Sequence, residues 1–298
     1  MRIALWVLAG VMVCGSWHGA AAAAISAVGV ENEYADVIAQ VGGQYVSVVA
    51  VETDPNTDPH SFEVSPLVAR EIAGARLVVE NGLGYDDWAD KMLAAAPDAS
   101  RQVINVQHLL GLPDDTPNPH LWYDPNTMPA VAKAVAAGLA ALYPAQKAYF
   151  AANAAAFDES LKPWFAAISA FRSKNPGTEV AVTEPVGNYL LQALAAKIAT
   201  PFGLQAAIMN GTDPAPQDVS AQNALLSGNQ VQVFVYNQQV TDPLTQSFLS
   251  LAARNKIPVV GVYETMPDGY HYQSWMLAEV AALSKAVAEK ISTETLEK

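Results

Sequence analysis

Short apolar runs rich in valine and isoleucine alternate with segments of helical period along most of this chain. Tyr45–Val51, Leu77–Val79, Val103–Val106, Glu179–Thr183, Val231–Tyr236 and Pro258–Val262 read as strands, and Ala206–Met209 is strand-like. Between them, Ser65–Ala75, Met128–Leu142, Tyr189–Ala199, Thr241–Asn255 and Met276–Ile291 read as helices. Two of these carry proline at an early position, Pro66 and Pro129, where the missing N–H costs nothing. Lysines gather toward the end of the last helix, which suits its dipole. Parallel strands need long crossovers, and helices supply them. The expected class is therefore α/β, with parallel sheets covered by helices.

The alternation breaks once. From about 144 to 174, Tyr149, Ala152, Phe157, Leu161, Phe165, Ile168 and Phe171 recur at spacings of three to five, with Pro163 as the single interruption. About thirty residues of helix would span roughly 45 Å. That length suits a rigid connector between two lobes, and equally an ordinary surface helix kinked at Pro163. With 298 residues, 51% of them hydrophobic, there is material for two lobes. The expected division is a signal segment over 1–24, a first α/β lobe over 25–143, a connecting helix over 144–174 and a second α/β lobe over 175–298.

The signal reading rests on Arg2, the apolar stretch Ile3–Val13 and the small residues Ala20–Ala24. It places the mature protein outside the cytoplasm, in the periplasm. The sole cysteine, Cys14, lies within that segment, and Val11-Met12-Val13 before it is a poor lipidation context. Cleavage near Ala24 would leave neither a disulfide nor a thiolate ligand. A formal charge of −13 with no basic stripe disfavours nucleic acid as a partner.

Two histidines stand in matching settings, Asp58-Pro59-His60 and Asn118-Pro119-His120-Leu121-Trp122. Each follows a proline in a polar loop, so the approach of the chain is constrained. Imidazole is the commonest ligand of divalent transition metals. Glu184 and Glu264 hold comparable places after later strands. In open α/β sheets, ligands bind at the carboxyl ends of the strands. If the two halves face each other, all four residues converge on one cleft. Two neutral imidazoles and two carboxylates would balance one M²⁺, and facing carboxylates without it would favour an open or hydrated site. Taken singly, each residue has an ordinary reading as a surface histidine, a helix cap or a solvated charge. Glu63 and Asp124 lie beside the histidines and could orient the rings or cap a turn.

These residues resemble a known family. Asp58-Pro59-His60-Ser61-Phe62-Glu63, Asn118-Pro119-His120-Leu121-Trp122 and Thr183-Glu184-Pro185 are similar to motifs of the zinc/manganese-class solute-binding proteins of ABC importers, and the likeness extends to Glu31-Asn32-Glu33-Tyr34 and the long central helix. The resemblance implies two α/β lobes joined by a rigid helix, with one metal ion in the cleft between them. It implies His60, His120, Glu184 and Glu264 as ligands, the last carried by Glu-Thr where the family usually has aspartate. It also implies delivery of the ion to a membrane permease by a receptor that is not an enzyme and acts as a monomer. The segment Gly111–Asn118 lacks the histidine-rich loop of many zinc receptors. Two nitrogens with carboxylate oxygens serve Zn²⁺ or Mn²⁺, so both stay open.

A metal-dependent hydrolase with a similar His/Glu set is the alternative. It would need an open position for water. The chain shows no HExxH pattern and no Ser-His-Asp arrangement. A receptor for an organic solute, or an adhesin, is a third class, for which Trp122, Tyr123 and Tyr236 would line the cleft.

Overall fold

The computed structural model describes residues 24–296. The expected signal segment, with Cys14, lies outside the described residues apart from Ala24. The first part of the chain runs β1 (Ile25–Glu31), α1 (Asn32–Gly42), β2 (Val46–Glu52), α2 (Pro66–Gly74), β3 (Leu77–Glu80), α3 (Asp87–Ala95), β4 (Gln102–Asn105), α4 (Val106–Leu110) and α5 (Thr127–Leu142). Two helices follow, α6 (Lys147–Ser160) and α7 (Lys162–Lys174). The rest runs β5 (Glu179–Val182), α8 (Asn188–Ala193), β6 (Lys197–Ile198), α9 (Phe202–Met209), α10 (Pro216–Ser227), β7 (Val233–Asn237), α11 (Pro243–Arg254), β8 (Val259–Val262) and α12 (Tyr272–Glu289).

The strands form two four-stranded sheets, ordered β2-β1-β3-β4 and β6-β5-β7-β8, and every pairing is parallel. The two sheets are thus wired alike although their sequences show no repeat. In each, the chain crosses to one side of the first strand and then to the other. That reversal opens a crevice at the carboxyl ends of the strands. Strands β3, β7 and β8 are buried along their whole length, as parallel strands covered on both faces must be.

Caps visible in the sequence start several helices. Ser65 accepts from the Val68 N–H at the start of α2, and Asp242 accepts from the Thr245 N–H at the start of α11. After α12, Thr293 bridges to the second sheet, its N–H donating to the Val259 carbonyl and its carbonyl accepting from the Gly261 N–H.

One expectation is refined and two are corrected. The interruption expected in the connector at Pro163 falls two residues earlier. The connector breaks at Leu161, and Pro163 enters in the first turn of α7, where its ring and missing N–H are tolerated. Helix α6 packs on α1 and α5, whereas α7 packs on α12. Second, Ala206–Met209 is the end of helix α9 and not a strand. Alanine, leucine, glutamine and methionine are good helix formers, and apolarity alone does not distinguish the two states. Third, the helix expected over Tyr189–Ala199 stops at Ala193. Ala195 turns the chain through a positive φ of 56° and Lys197–Ile198 pairs with β5 as an edge strand.

One continuous core runs through both halves. It joins Val37, Ile38 and Leu77 of the first to Val180, Val235 and Val260 of the second. Phe157 of α6, Trp164 of α7 and Tyr272 and Trp275 of α12 bridge them. Aromatic rings at these junctions bury large apolar areas in fixed geometry, which ties the two sheets into one frame.

Candidate metal centre

The first histidine is aimed by its own tripeptide. Asp58 accepts a 2.8 Å bond from the His60 backbone N–H, and Ser61 Oγ donates back to the Asp58 carbonyl at 2.7 Å. Buried Pro59 opens the single helical turn between them. The second histidine repeats the device with asparagine. Asn118 Oδ1 accepts from the His120 N–H at 3.1 Å. The same oxygen also meets His120 Nδ1 at 2.7 Å. Asn118 Nδ2 donates to the Pro185 carbonyl of the other sheet at 2.8 Å, which sets the amide so that Oδ1 is the acceptor. The side chain two residues before each histidine therefore orients it, and proline alone does not.

Glu264 follows β8 across the cleft. Its Oε2 stands 3.1 Å from His120 Nε2 and 3.4 Å from His60 Nε2. Two ligands of one tetrahedral Zn²⁺, each about 2.0–2.1 Å from the ion, stand about 3.3–3.4 Å apart. Among the described residues, His60, His120 and Glu264 are the group whose donor atoms lie within 4.8 Å of one another. Tyr85 Oη donates to Glu264 Oε2 at 3.0 Å, and Asn237 Nδ2 donates to Glu264 Oε1. The peptide of Glu264 is held as well, since its N–H donates to Gln239 Oε1 at 2.6 Å.

Glu184 is not in that group. It is buried just past β5, and neither of its oxygens makes a hydrogen bond. Burial first, and the charge of Glu264 second, push its carboxyl well above the usual range, while the nearby Asn237 amide pulls the other way. Glu184 thus stands in the electrostatic reach of Glu264 without touching the histidines.

Burial opposes the charge on Glu264 too. The hydrogen bonds from His120 and His60 outweigh it and hold this carboxyl well below the usual range. For His60, burial disfavours the imidazolium, but the bond to and charge of Glu264 prevail and raise it. His120 is fully enclosed, and burial lowers it despite the same carboxylate. The neutral form of His120 carries its proton on Nδ1, because Asn118 Oδ1 can only accept. Its Nε2 lone pair then points at a carboxylate oxygen 3.1 Å away. Two lone pairs so placed repel unless a cation or a proton lies between them.

The site is walled by edge-on aromatic rings. His60 and Tyr85 are 5.1 Å apart, Tyr85 and Trp122 5.1 Å, and His120 and Trp122 5.4 Å. His60 keeps 28% of its side chain exposed and borders a cavity of about 680 Å³ whose walls include Asp58, Asp213 and Asp242. The acidic composition thus has a local meaning, since a cation reaching His60 passes carboxylates. The halves are already joined across the cleft. Gln239 Nε2 donates to the Thr57 carbonyl at 2.7 Å, and Tyr123 Oη to the Tyr263 carbonyl at 2.9 Å.

Several residues of the site had no signal in the sequence. Tyr85 and Asn237 reach Glu264 only through the fold. Of the two acidic neighbours considered for ring orientation, Asp124 caps its own turn by accepting from the Asn126 N–H, and Glu63 is exposed. The ring partner of His120 is Asn118, inside the motif itself.

Residues 31–286 match the family described as ZnuA, zinc-uptake complex component A, periplasmic. Over 94 residues, 32% of this chain, the sequence is 33% identical to a Thermotoga maritima protein named for metal binding, and the match spans about a third of that relative's length. Three solved structures share the fold. FpvC of Pseudomonas aeruginosa in complex with Mn²⁺ superposes with a TM-score of 0.74 at 19% identity, covering 89% of this chain and 99% of that one. A crystal structure of ZnuA gives 0.73 at 21% identity, with 89% and 100% covered. The periplasmic zinc-binding protein TroA of Treponema pallidum gives 0.73 at 16% identity, with 89% and 98% covered.

Proposed function

The chain belongs to the family of periplasmic zinc-uptake complex components, and from that membership we propose that it is the receptor of an ABC importer. It captures one divalent transition-metal ion, zinc or manganese, in the cleft between its lobes and hands it to a membrane permease. The ion is its cargo, and no turnover accompanies binding. His60, His120 and Glu264 supply three donors, and Glu184 swings in as the fourth. The lobes are those delimited at 25–143 and 175–298, and residues 1–24 direct export. The observation that carries the reading is the convergence of donors at the centre of the site. His60 Nε2 and His120 Nε2 stand 3.4 and 3.1 Å from Glu264 Oε2, inside a shell of aromatic rings. A cation between them takes all three as ligands.

Calorimetric titration with Zn²⁺ and Mn²⁺ tests the reading, on the parent and on His60→Ala and His120→Ala. The parent binds one equivalent. Each variant loses at least about a hundredfold in affinity, about 2.7 kcal/mol, and keeps its circular dichroism. Undiminished binding in either variant removes that histidine from the site. Metal-dependent turnover of an ester or peptide would favour the hydrolase alternative instead.

A further inference from the structure

Glu264 is held by more than the site needs to place one carboxylate. Its two oxygens are in different hands. Oε1 takes the Asn237 amide, and Oε2 takes the Tyr85 hydroxyl and faces both imidazoles. Asn237 is itself fixed on three sides. Its backbone N–H donates to Thr183 Oγ1 at 3.0 Å, its Oδ1 accepts from the Gln239 N–H at 3.0 Å, and its side chain is buried. With Oδ1 so engaged, only the NH₂ group can turn to Glu264. Tyr85 comes from the other sheet, on the tight loop after β3. Asp86 holds that loop by accepting from the N–H groups of Asn81 and Gly82, at 2.6 and 2.8 Å. Gly82 and Gly84 take positive φ there, 83° and 76°, which brings the phenol round to the cleft.

A carboxylate can give a metal one oxygen or two. One keeps the coordination number low, and two raise it. Tetrahedral Zn²⁺ is satisfied by four donors, whereas Mn²⁺ takes more, mostly oxygen. We propose that Asn237 and Tyr85 act as a clamp that makes Glu264 a one-oxygen ligand, and so bias the site toward a four-coordinate cation such as Zn²⁺ over Mn²⁺. Asn237 holds Oε1 back from the ion. Tyr85 tethers Oε2 between His60 and His120. Both are positioning residues, for neither touches the ion. The inference rests on the preceding reading that Glu264 and the two histidines bind a cation together.

The test uses Co²⁺ as a spectroscopic probe. Four-coordinate Co²⁺ absorbs strongly in the visible, and five- or six-coordinate Co²⁺ absorbs weakly. The parent, Asn237→Leu and Tyr85→Phe are loaded with Co²⁺, and their Zn²⁺ and Mn²⁺ affinities are measured by competition. The parent shows the intense four-coordinate bands. Asn237→Leu frees Oε1, so the bands weaken severalfold and the Zn²⁺ to Mn²⁺ affinity ratio falls by about tenfold or more, the scale at which residues behind a ligand act. Tyr85→Phe removes one hydroxyl, leaves the packing, and lowers the ratio in the same direction by less. Weak bands in the parent overturn the clamp without recourse to a variant. So do parental bands and a parental ratio in whichever variants fold. A parent that binds none of the three ions overturns the receptor reading and this inference with it.

Discussion

Replacing Asn118 by alanine removes three hydrogen bonds at once, and the three have separable consequences. Its Oδ1 accepts from the His120 N–H at 3.1 Å and from His120 Nδ1 at 2.7 Å, and its Nδ2 donates to the Pro185 carbonyl at 2.8 Å. The His120 N–H is left buried and unpaired, at a cost of about 1–3 kcal/mol, whereas the Pro185 carbonyl keeps the Asn188 N–H at 3.1 Å. A loss of about 1–3 kcal/mol in stability follows, or roughly 2–10 °C in Tm for a chain of this size. The bond to Nδ1 acts on the cation. Without it the ring can rotate or change tautomer, and loss of such a partner costs about 10–100-fold in metal affinity, about 1.4–2.8 kcal/mol. Asn118→Asp separates the two effects. A carboxylate still accepts from both N–H groups of His120, so affinity returns to near the parent. It sets an oxygen against the Pro185 carbonyl, so the stability does not return. Calorimetric titration with Zn²⁺ and a thermal melt of the metal-free protein read the two quantities independently. Parental affinity in Asn118→Ala, or an aspartate variant that binds as poorly as the alanine one, would refute the account of how His120 is held.

Two further outcomes follow from groups away from the cation. Burial pushes Glu279 up to about 8, against the bonds from Trp275 and Tyr123. An acid raised in the folded state keeps its proton there after the unfolded chain has lost it, so its contribution is intact below about pH 4.5 and is lost as pH rises through about 8. Glu52 and Glu80, also raised to about 8 by burial first and Asp86 second, act in the same sense. Stability should therefore fall from pH 5 to pH 8, and Glu279→Gln should flatten that slope by about 1.4 kcal/mol per pH unit, the effect of one proton; a slope equal to the parent's in denaturant titrations would show that Glu279 is not protonated. At Gly29 in β1, an added Cβ would run into the backbone of Ala35 on α1, whereas at Gly74 it would meet nothing within 4 Å. Gly29→Ala should cost about 3 kcal/mol or prevent folding, and Gly74→Ala should be neutral or slightly stabilising, as read from denaturant midpoints; a midpoint for Gly29→Ala within error of the parent would show that β1 and α1 can part.

What the sequence determined by itself is local. Apolar runs bounded by turns marked β2, β3, β4, β5, β7 and β8; in β3, β7 and β8 the run is buried along its whole length, as in a parallel strand covered on both faces, whereas the edge strands β2 and β4 stay partly exposed. Pro66, Pro129 and the terminal lysines marked helices by the chemistry of their ends. The Asp58-Pro59-His60 and Asn118-Pro119-His120 tripeptides carried both the histidine and the side chain that aims it, all within three residues. Strand β1 and helix α1 escaped notice, since no turn signal parts Glu31 from Asn32. Helix α9 passed for a strand because its apolar face is wide and its length short. The tertiary structure alone decided the rest. It divided the connector at Leu161, where α6 had a surface on α1 and α5 and α7 one on α12. It set Glu264 against two histidines, left Glu184 apart from them, and brought Tyr85 and Asn237 onto opposite oxygens of one carboxylate. Tyr85 and Glu264 are 179 positions apart, and no pattern of neighbours along a chain encodes such a meeting. It exists only once two sheets of the same wiring have been packed with their strand ends facing, and a continuous aromatic core holds them there.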